Sequence, residues 1–256
     1  MKNKFTILGC GSSLGSPWLN QNWGNCNKRN KRNIRTRCCA HIQFGNLSIL
    51  IDTSPDIRQQ LIDNNIRDID AILYTHEHAD QTAGIFEFRP LYFAKRKRIP
   101  IYCNKETKKR LRASYPWLFS SSKLYPQIMK IESTKNNFSI EKKKNKIKFN
   151  SLKVIHGSAV TRGYLFKKIA YISDCKEIPK TTLDKIKNLD VLILDCFRKT
   201  VHITHLDLEN TIKIINYLKP KKAILINMHI ELDYNYLKKK LPQKIIPAYD
   251  GLSFNF

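Results

Sequence analysis

Thr75-His76-Glu77-His78-Ala79-Asp80-Gln81 is the stretch on which the reading of this chain turns. It follows the apolar run Ala71-Ile72-Leu73-Tyr74, a strand candidate. Two histidines at i and i+2 of a strand point to opposite faces, so both reach one cation only from a turn. A turn directly after a strand provides that, and Asp80 and Gln81, opening the next segment, can then face a second ion. Imidazole and carboxylate donors together suit zinc, manganese or iron, with zinc first by ligand type. A solitary histidine is more commonly a hydrogen-bonded structural residue. His41, alternating within Ala40-His41-Ile42-Gln43-Phe44, fits that description and is expected to face solvent.

The same relation between strand end and polar group recurs along the chain. His156 follows Leu152 to Ile155, Asp174 follows Ile169 to Ser173, and His229 follows Ala223 to Met228. Asp52 ends the run Leu47 to Ile51. Sites of layered α/β proteins collect at strand ends, where rigid elements aim short loops. Burying so many imidazoles and carboxylates without a cation would cost on the order of several kcal/mol.

Other apolar runs, Phe5 to Leu8, Ile42 to Phe44, Ile99 to Cys103, Gly163 to Phe166 and Val191 to Leu194, also read as strands. Helical periodicity fits Ile57 to Asn64, Lys105 to Tyr115, Thr182 to Asn188, Leu206 to Leu218 and Tyr234 to Leu241. The helix from Leu206 carries its stripe at Leu208, Ile212, Ile215 and Leu218. Asn136 to Asn150 is the most polar region and reads as a surface hairpin or loop; Cys26 to Arg37 is a second polar stretch. Strands clustered first and then alternating with helices imply two mixed sheets with helices outside. With no repeat and no Gly/Ser/Pro-rich linker, residues 1–256 read as a single domain.

Seven cysteines, an odd number with only Cys38 and Cys39 adjacent, make no disulfide framework and point to a reducing compartment. The N-terminal apolar stretch is too short for a signal peptide and no segment approaches a membrane span, so a cytoplasmic protein is expected. The formal charge of +25 is spread over the chain, and runs such as Lys95 to Arg98, Lys108 to Arg110 and Lys142 to Lys144 read as solvated faces. A positive field still helps an anionic substrate arrive. A homodimer is compatible with the sequence, which leaves the oligomeric state open.

These residues together resemble the metallo-β-lactamase superfamily, from Leu8-Gly9-Cys10-Gly11-Ser12-Ser13 to Ala248-Tyr249-Asp250-Gly251. Within it the chain is most similar to the branch of phosphoribosyl 1,2-cyclic phosphate phosphodiesterases. The pieces that carry this are Arg35-Thr36-Arg37, Ile51-Asp52-Thr53-Ser54-Pro55-Asp56, and Asn227-Met228-His229 with Leu232-Asp233-Tyr234. The resemblance implies a four-layer αββα sandwich of the α/β (α+β) class with its site along one edge of the sheets. It further implies one or two zinc or manganese ions. His76, His78 and His156 would hold one, Asp80 and His229 the other, with Asp174 bridging and Asp52 behind the ligands orienting one of them. An aspartate at the position of Asp174, where the β-lactam-cleaving enzymes commonly carry cysteine, implies phosphoester rather than β-lactam hydrolysis. Cys175, one residue along, is expected to serve packing alone.

The implied activity is hydrolysis of a small, anionic phosphodiester, cyclic or open, by a metal-bound hydroxide. His205 stands where phosphodiesterases of this superfamily carry a catalytic histidine, with His202 as its alternative, and Asp80 counts among the catalytic groups as well. Two departures stand out. Gln81 replaces the family's usual histidine, which thins the second metal site. The Cys-rich zinc loop of the resembling phosphodiesterase has no counterpart around Trp18 to Asn27, where only Cys26 lies. A tRNA 3′-processing type of endoribonuclease is the main alternative and fits the basicity. However, no Gly/Pro-rich arm lies between Asp80 and His156. A thioester hydrolase of glyoxalase type shares the metal set but usually retains histidine at the place of Gln81.

Overall fold

The structure, a computed structural model, describes residues 3–256. The first sheet is built from β1 (Lys4–Gly9), β2 (Cys39–Phe44), β3 (Leu47–Ile51), β4 (Ala71–Leu73), β5 (Ile99–Tyr102) and β6 (Met129–Ser133). The second takes β7 (Asn137–Lys142), β8 (Asn145–His156), β9 (Ala159–Phe166), β10 (Ile169–Ile172), β11 (Val191–Asp195), β12 (Lys222–Ile226) and β13 (Ile245–Pro247). The chain then returns to the first sheet, where β14 (Ser253–Asn255) pairs antiparallel with β1. Each sheet has seven strands, and every other pairing joins consecutive strands.

Alternation along the strands explains the layers. Leu47, Ile49 and Ile51 of β3 enter the core between the sheets with Phe149, Tyr164 and Tyr171 of the second sheet. Leu50 faces the other way, into a cluster with Ile57, Ile85 and Leu111 from the helical layer. Strands buried on both faces read as continuous apolar runs, which is why β3, β4 and β11 stand out in the sequence. On the opposite side, helix Leu208–Leu218 buries Ile215 and Leu218 in the main core. The order helix, sheet, sheet, helix is the expected sandwich.

Strand direction places the site. β3 and β4 run parallel, as do β10, β11 and β12. β8 is antiparallel to β9, and β9 to β10, so β8 points the same way as β10. Their C-terminal ends therefore share one edge of each sheet. Arg162 N donates to Thr75 O at 2.9 Å and Met228 N to Cys10 O at 2.9 Å, bonds that stitch the two edges together.

Several expectations need correction. His41 does not face solvent: it is 5% exposed, with Nε2 2.8 Å from Ser48 Oγ. The helix expected from Thr182 starts at Lys180 and tightens to a 3-10 turn at Asp184–Ile186. The helix placed from Leu206 begins at Leu208, because Asp207 caps it by accepting from Asn210 N. The polar region after Asn136 is a hairpin, but an integral one: Ile140, Ile147 and Phe149 reach the core. Strands β6, β13 and β14 and helix Arg89–Lys95 were not visible in the sequence pattern. Among the described residues no helix is long and apolar enough to cross a membrane.

Burial lowers the His41 pKa from its ordinary 6.5 to about 4, with Lys4 adding to the effect. The unfolded chain therefore takes up this proton first as pH falls. Stability should decline from about pH 6.5 and level off near the folded value, by about 3 kcal/mol from this group. Denaturant unfolding of His41→Gln should show a smaller loss between pH 7 and pH 5 than the parent. Parallel pH profiles for the two proteins would sink this assignment.

Candidate metal centre

The turn after β4 brings His76 and His78 together with ring centroids 4.4 Å apart, and His156, the last residue of β8, completes a triangle. Its ring lies 5.6 Å from His76 and 5.3 Å from His78. Each of the three offers a ligand atom within 4.8 Å of the others. A second such group joins His156 to Asp174 and His205.

Hydrogen bonds determine which nitrogen faces inward for His156, His205 and His76. His156 Nδ1 lies 2.8 Å from the carbonyl oxygen of Thr204, which can only accept, so Nδ1 carries the proton and Nε2 the lone pair. His205 Nδ1 lies 3.0 Å from Asp195 Oδ2 and is fixed in the same way. His76 is held through a relay. Asp52 accepts from Thr75 N at 2.8 Å and from Thr75 Oγ1 at 2.9 Å. The single hydroxyl proton of Thr75 is thus spent on Asp52, and His76 Nδ1, at 3.0 Å, donates to Thr75 Oγ1. His76 Nε2 is left buried with no partner. A buried, unpartnered lone pair costs about 1–3 kcal/mol. A divalent cation removes that cost, and this donor set fits one.

The carboxylates respond to the same crowding. Burial, then repulsion from Asp174, pushes the Asp80 carboxyl up to about 6. Burial likewise lifts Asp195 to about 6, with its bond to His205 acting the other way. Burial works to lower His205, but the hydrogen bond and charge of Asp195 outweigh it and raise His205 above its ordinary value. Gln81 is fully buried and donates Nε2–H to Asp174 Oδ2 at 2.9 Å, leaving its Oε1 unpartnered.

Not every expected residue joins the cluster. His229 lies outside both ligand groups: its ring packs 5.4 Å from Trp18 and 5.2 Å from Phe197, with Nδ1 3.6 Å from Glu231 Oε1. His205, expected apart from the ligands, is inside one group. His202 packs 4.6 Å from Phe197, and its Nδ1 accepts from Thr204 N at 3.3 Å. Asp52 touches Thr75 rather than an imidazole. Cys175 is buried in the core, away from solvent. Three participants were missed. Thr75 carries the relay, Asp195 orients His205, and Asn227 donates Nδ2–H to Asp195 Oδ1 at 3.2 Å. Asp195 closes β11 as Asp52 follows β3, so the strand-end rule could have found it. Beside the turn opens a cavity of ≈ 580 Å³ lined by Glu77, Lys153, Arg162 and Lys185, among others.

Two flanked sheets with imidazoles and carboxylates gathered on one edge define a hydrolase of the metallo-β-lactamase fold. The family model described as Beta-lactamase superfamily domain matches residues 48–230, well over half the chain. The crystal structure of a diphosphatase from the PhnP family is 32% identical, covers 100% of this chain and 98% of that one, and superposes with a TM-score of 0.91. The chain belongs to the beta-lactamase superfamily and, within it, to the PhnP family. Zinc-bound PqqB from Methylobacterium extorquens shares the fold at 17% identity and a TM-score of 0.78, over 99% of this chain and 100% of that one. An octanoyltransferase of Porphyromonas gingivalis is 27% identical over 96% of this chain but only 50% of its own length. The chain thus spans about half the length of that curated relative.

The relay through Thr75 makes a specific prediction. Thr75→Val keeps the shape but leaves Asp52 Oδ2 and His76 Nδ1 without their shared hydroxyl. The metal-free variant should lose about 1–3 kcal/mol in denaturant unfolding. Zinc affinity should fall by about 10- to 100-fold in calorimetric titration. Unchanged affinity would mean that Thr75 does not set the orientation of His76.

Proposed function

We propose that the chain hydrolyses a small anionic phosphodiester or diphosphate with the help of a divalent ion. The observation that carries this reading is the convergence of pinned histidine Nε2 lone pairs beside the Asp174 carboxylate. His76, His78 and His156, with Asp174, would hold the ion, which when bound supplies Lewis acidity and an activated water. The diphosphatase activity in the name of the 32% identical relative supports phosphorus chemistry.

The chain's own residues divide the remaining work. Asp195, buried and fixed by Cys175 N at 2.8 Å and Asn227, holds the His205 ring by its Nδ1–H. That leaves His205 Nε2 to carry a proton to the departing oxygen, a transfer worth about 10²- to 10⁴-fold in rate. Asp80 lies close enough to Asp174 to feel its charge and shares the negative field that favours a cation here. Octanoyl transfer on a cysteine thiol is not proposed, since all seven cysteines are buried and burial raises every thiol above its ordinary 9.0.

A bis-aryl phosphate, a nucleoside diphosphate, a β-lactam and a structured RNA, offered with zinc or manganese, test the reading. Turnover of a small phosphorus substrate and none of the β-lactam is expected. β-Lactam turnover without phosphorus chemistry would reverse the assignment. RNA cleaved faster than any small substrate would favour a nuclease, the reading that the +25 charge supports. His205→Ala should slow a substrate with a poor leaving group by about 10²- to 10⁴-fold while bound metal is retained, and slow an activated aryl phosphate less. If the variant loses its metal instead, His205 is a ligand and His202 becomes the acid candidate.

A further inference from the structure

We propose that this centre holds a single metal ion, and that the Gln81 side-chain amide takes the place of a second. The inference rests on the metal-dependent reading above and goes beyond it in fixing the stoichiometry. Two ligand groups exist among the described residues, His76 with His78 and His156, and His156 with Asp174 and His205. They share His156. Its Nδ1 is spent on Thr204 O at 2.8 Å, so it has one lone pair, at Nε2, and one lone pair binds one ion. The two groups therefore cannot both be filled, since each needs His156.

A second ion would need donors outside that set, and neither His229 nor Asp80 joins a ligand group. His229 turns its ring to Trp18 and Phe197, and its Nδ1 lies beside Glu231. Gln81 commits its Nε2–H to Asp174 Oδ2 at 2.9 Å, and what remains, the buried and unpartnered Oε1, is a neutral amide oxygen, a far weaker ligand for a transition metal than the imidazole it replaces. Turning the amide over would set Gln81 Oε1 against a carboxylate oxygen at that distance, two acceptors with no proton between them. The N–H thus engages Asp174 Oδ2, one of the two oxygens that a bridging carboxylate would offer to cations. Both residues are buried, Gln81 at 0% and Asp174 at 4% exposure, so the bond is made away from competing water.

The test is metal stoichiometry, read without any substrate. Metal-free protein is titrated with zinc, and separately with manganese, by calorimetry, and the loaded protein is weighed by native mass spectrometry. One equivalent is expected for wild type with either metal. Gln81→Glu replaces the capping N–H by a carboxylate oxygen facing Asp174, an arrangement that calls for a cation, and should take up a second equivalent. Two equivalents on wild type, or a folded Gln81→Glu protein that stays at one, overturns the inference and leaves the metal-dependent reading standing. No metal bound at all, with the fold intact by circular dichroism, overturns both.

Discussion

Each imidazole of the cluster whose partners can be traced has one nitrogen committed to the fold. His156 gives Nδ1–H to a backbone carbonyl, His205 to Asp195, and His76 to a hydroxyl that Asp52 has already claimed. Tautomer and ring direction are thereby decided before any cation arrives. The donors come from the ends of different strands, so the centre exists only when both sheets are assembled. Asp52 shows how tightly this is built in. It adopts φ 63 just after β3, a left-handed backbone that aspartate tolerates better than most residues. From there both its carboxylate oxygens reach Thr75, after β4, and two parallel strands are fastened at the point where the metal turn begins. Asn227, with φ 60 after β12, does the corresponding service for Asp195 in the second sheet.

How much of this was legible in the sequence depended on whether a residue's role was written nearby. β3, β4 and β11, buried on both faces, announce themselves as apolar runs, and the His76 turn follows one of them directly. β14 has one half-buried residue between two exposed ones, and β6 alternates buried or half-buried with exposed positions at a sheet edge. Such short edge strands carry little pattern, because one neighbour and one face suffice to hold them. His41 misled for a related reason. Its alternation was correct, but the face it points to is covered, and Ser48 on the neighbouring strand supplies its bond.

The polar stretch from Cys26 to Arg37 gave no hint of its organising contact. Arg35, 2% exposed, donates Nη2–H to Leu232 O at 2.6 Å and to Asn33 Oδ1 at 3.1 Å, and Nη1–H to His229 O at 3.4 Å. An arginine is ordinarily read as surface, and most of these acceptors lie nearly two hundred residues away in the chain. The same guanidinium holds the backbone of His229, an expected ligand that falls outside both ligand groups. The spacing of histidine after an apolar run was a sound guide to a strand end, but not to where the ring points. That is settled by Trp18 and Phe197, which no local pattern connects to it.

Charge is divided between inside and outside in a way that suits both partners of the proposed reaction. Asp52, Asp174 and Asp195 are at most 4% exposed and cluster near the imidazoles, so a concentrated share of the negative charge faces the cation position. The surface is correspondingly more basic than the net +25 suggests. Some of those cations have structural work: Lys95 and Lys142 meet Asp68, and Lys142 also holds Asp70 at 2.6 Å. The remaining field acts through solvent and is screened beyond about 8–10 Å at ordinary ionic strength. Its reach therefore ends with the approach of an anion. Buried hydrogen bonds such as Gln81 to Asp174 and Asp195 to His205 are shielded from that screening, and they govern what happens once the anion is bound.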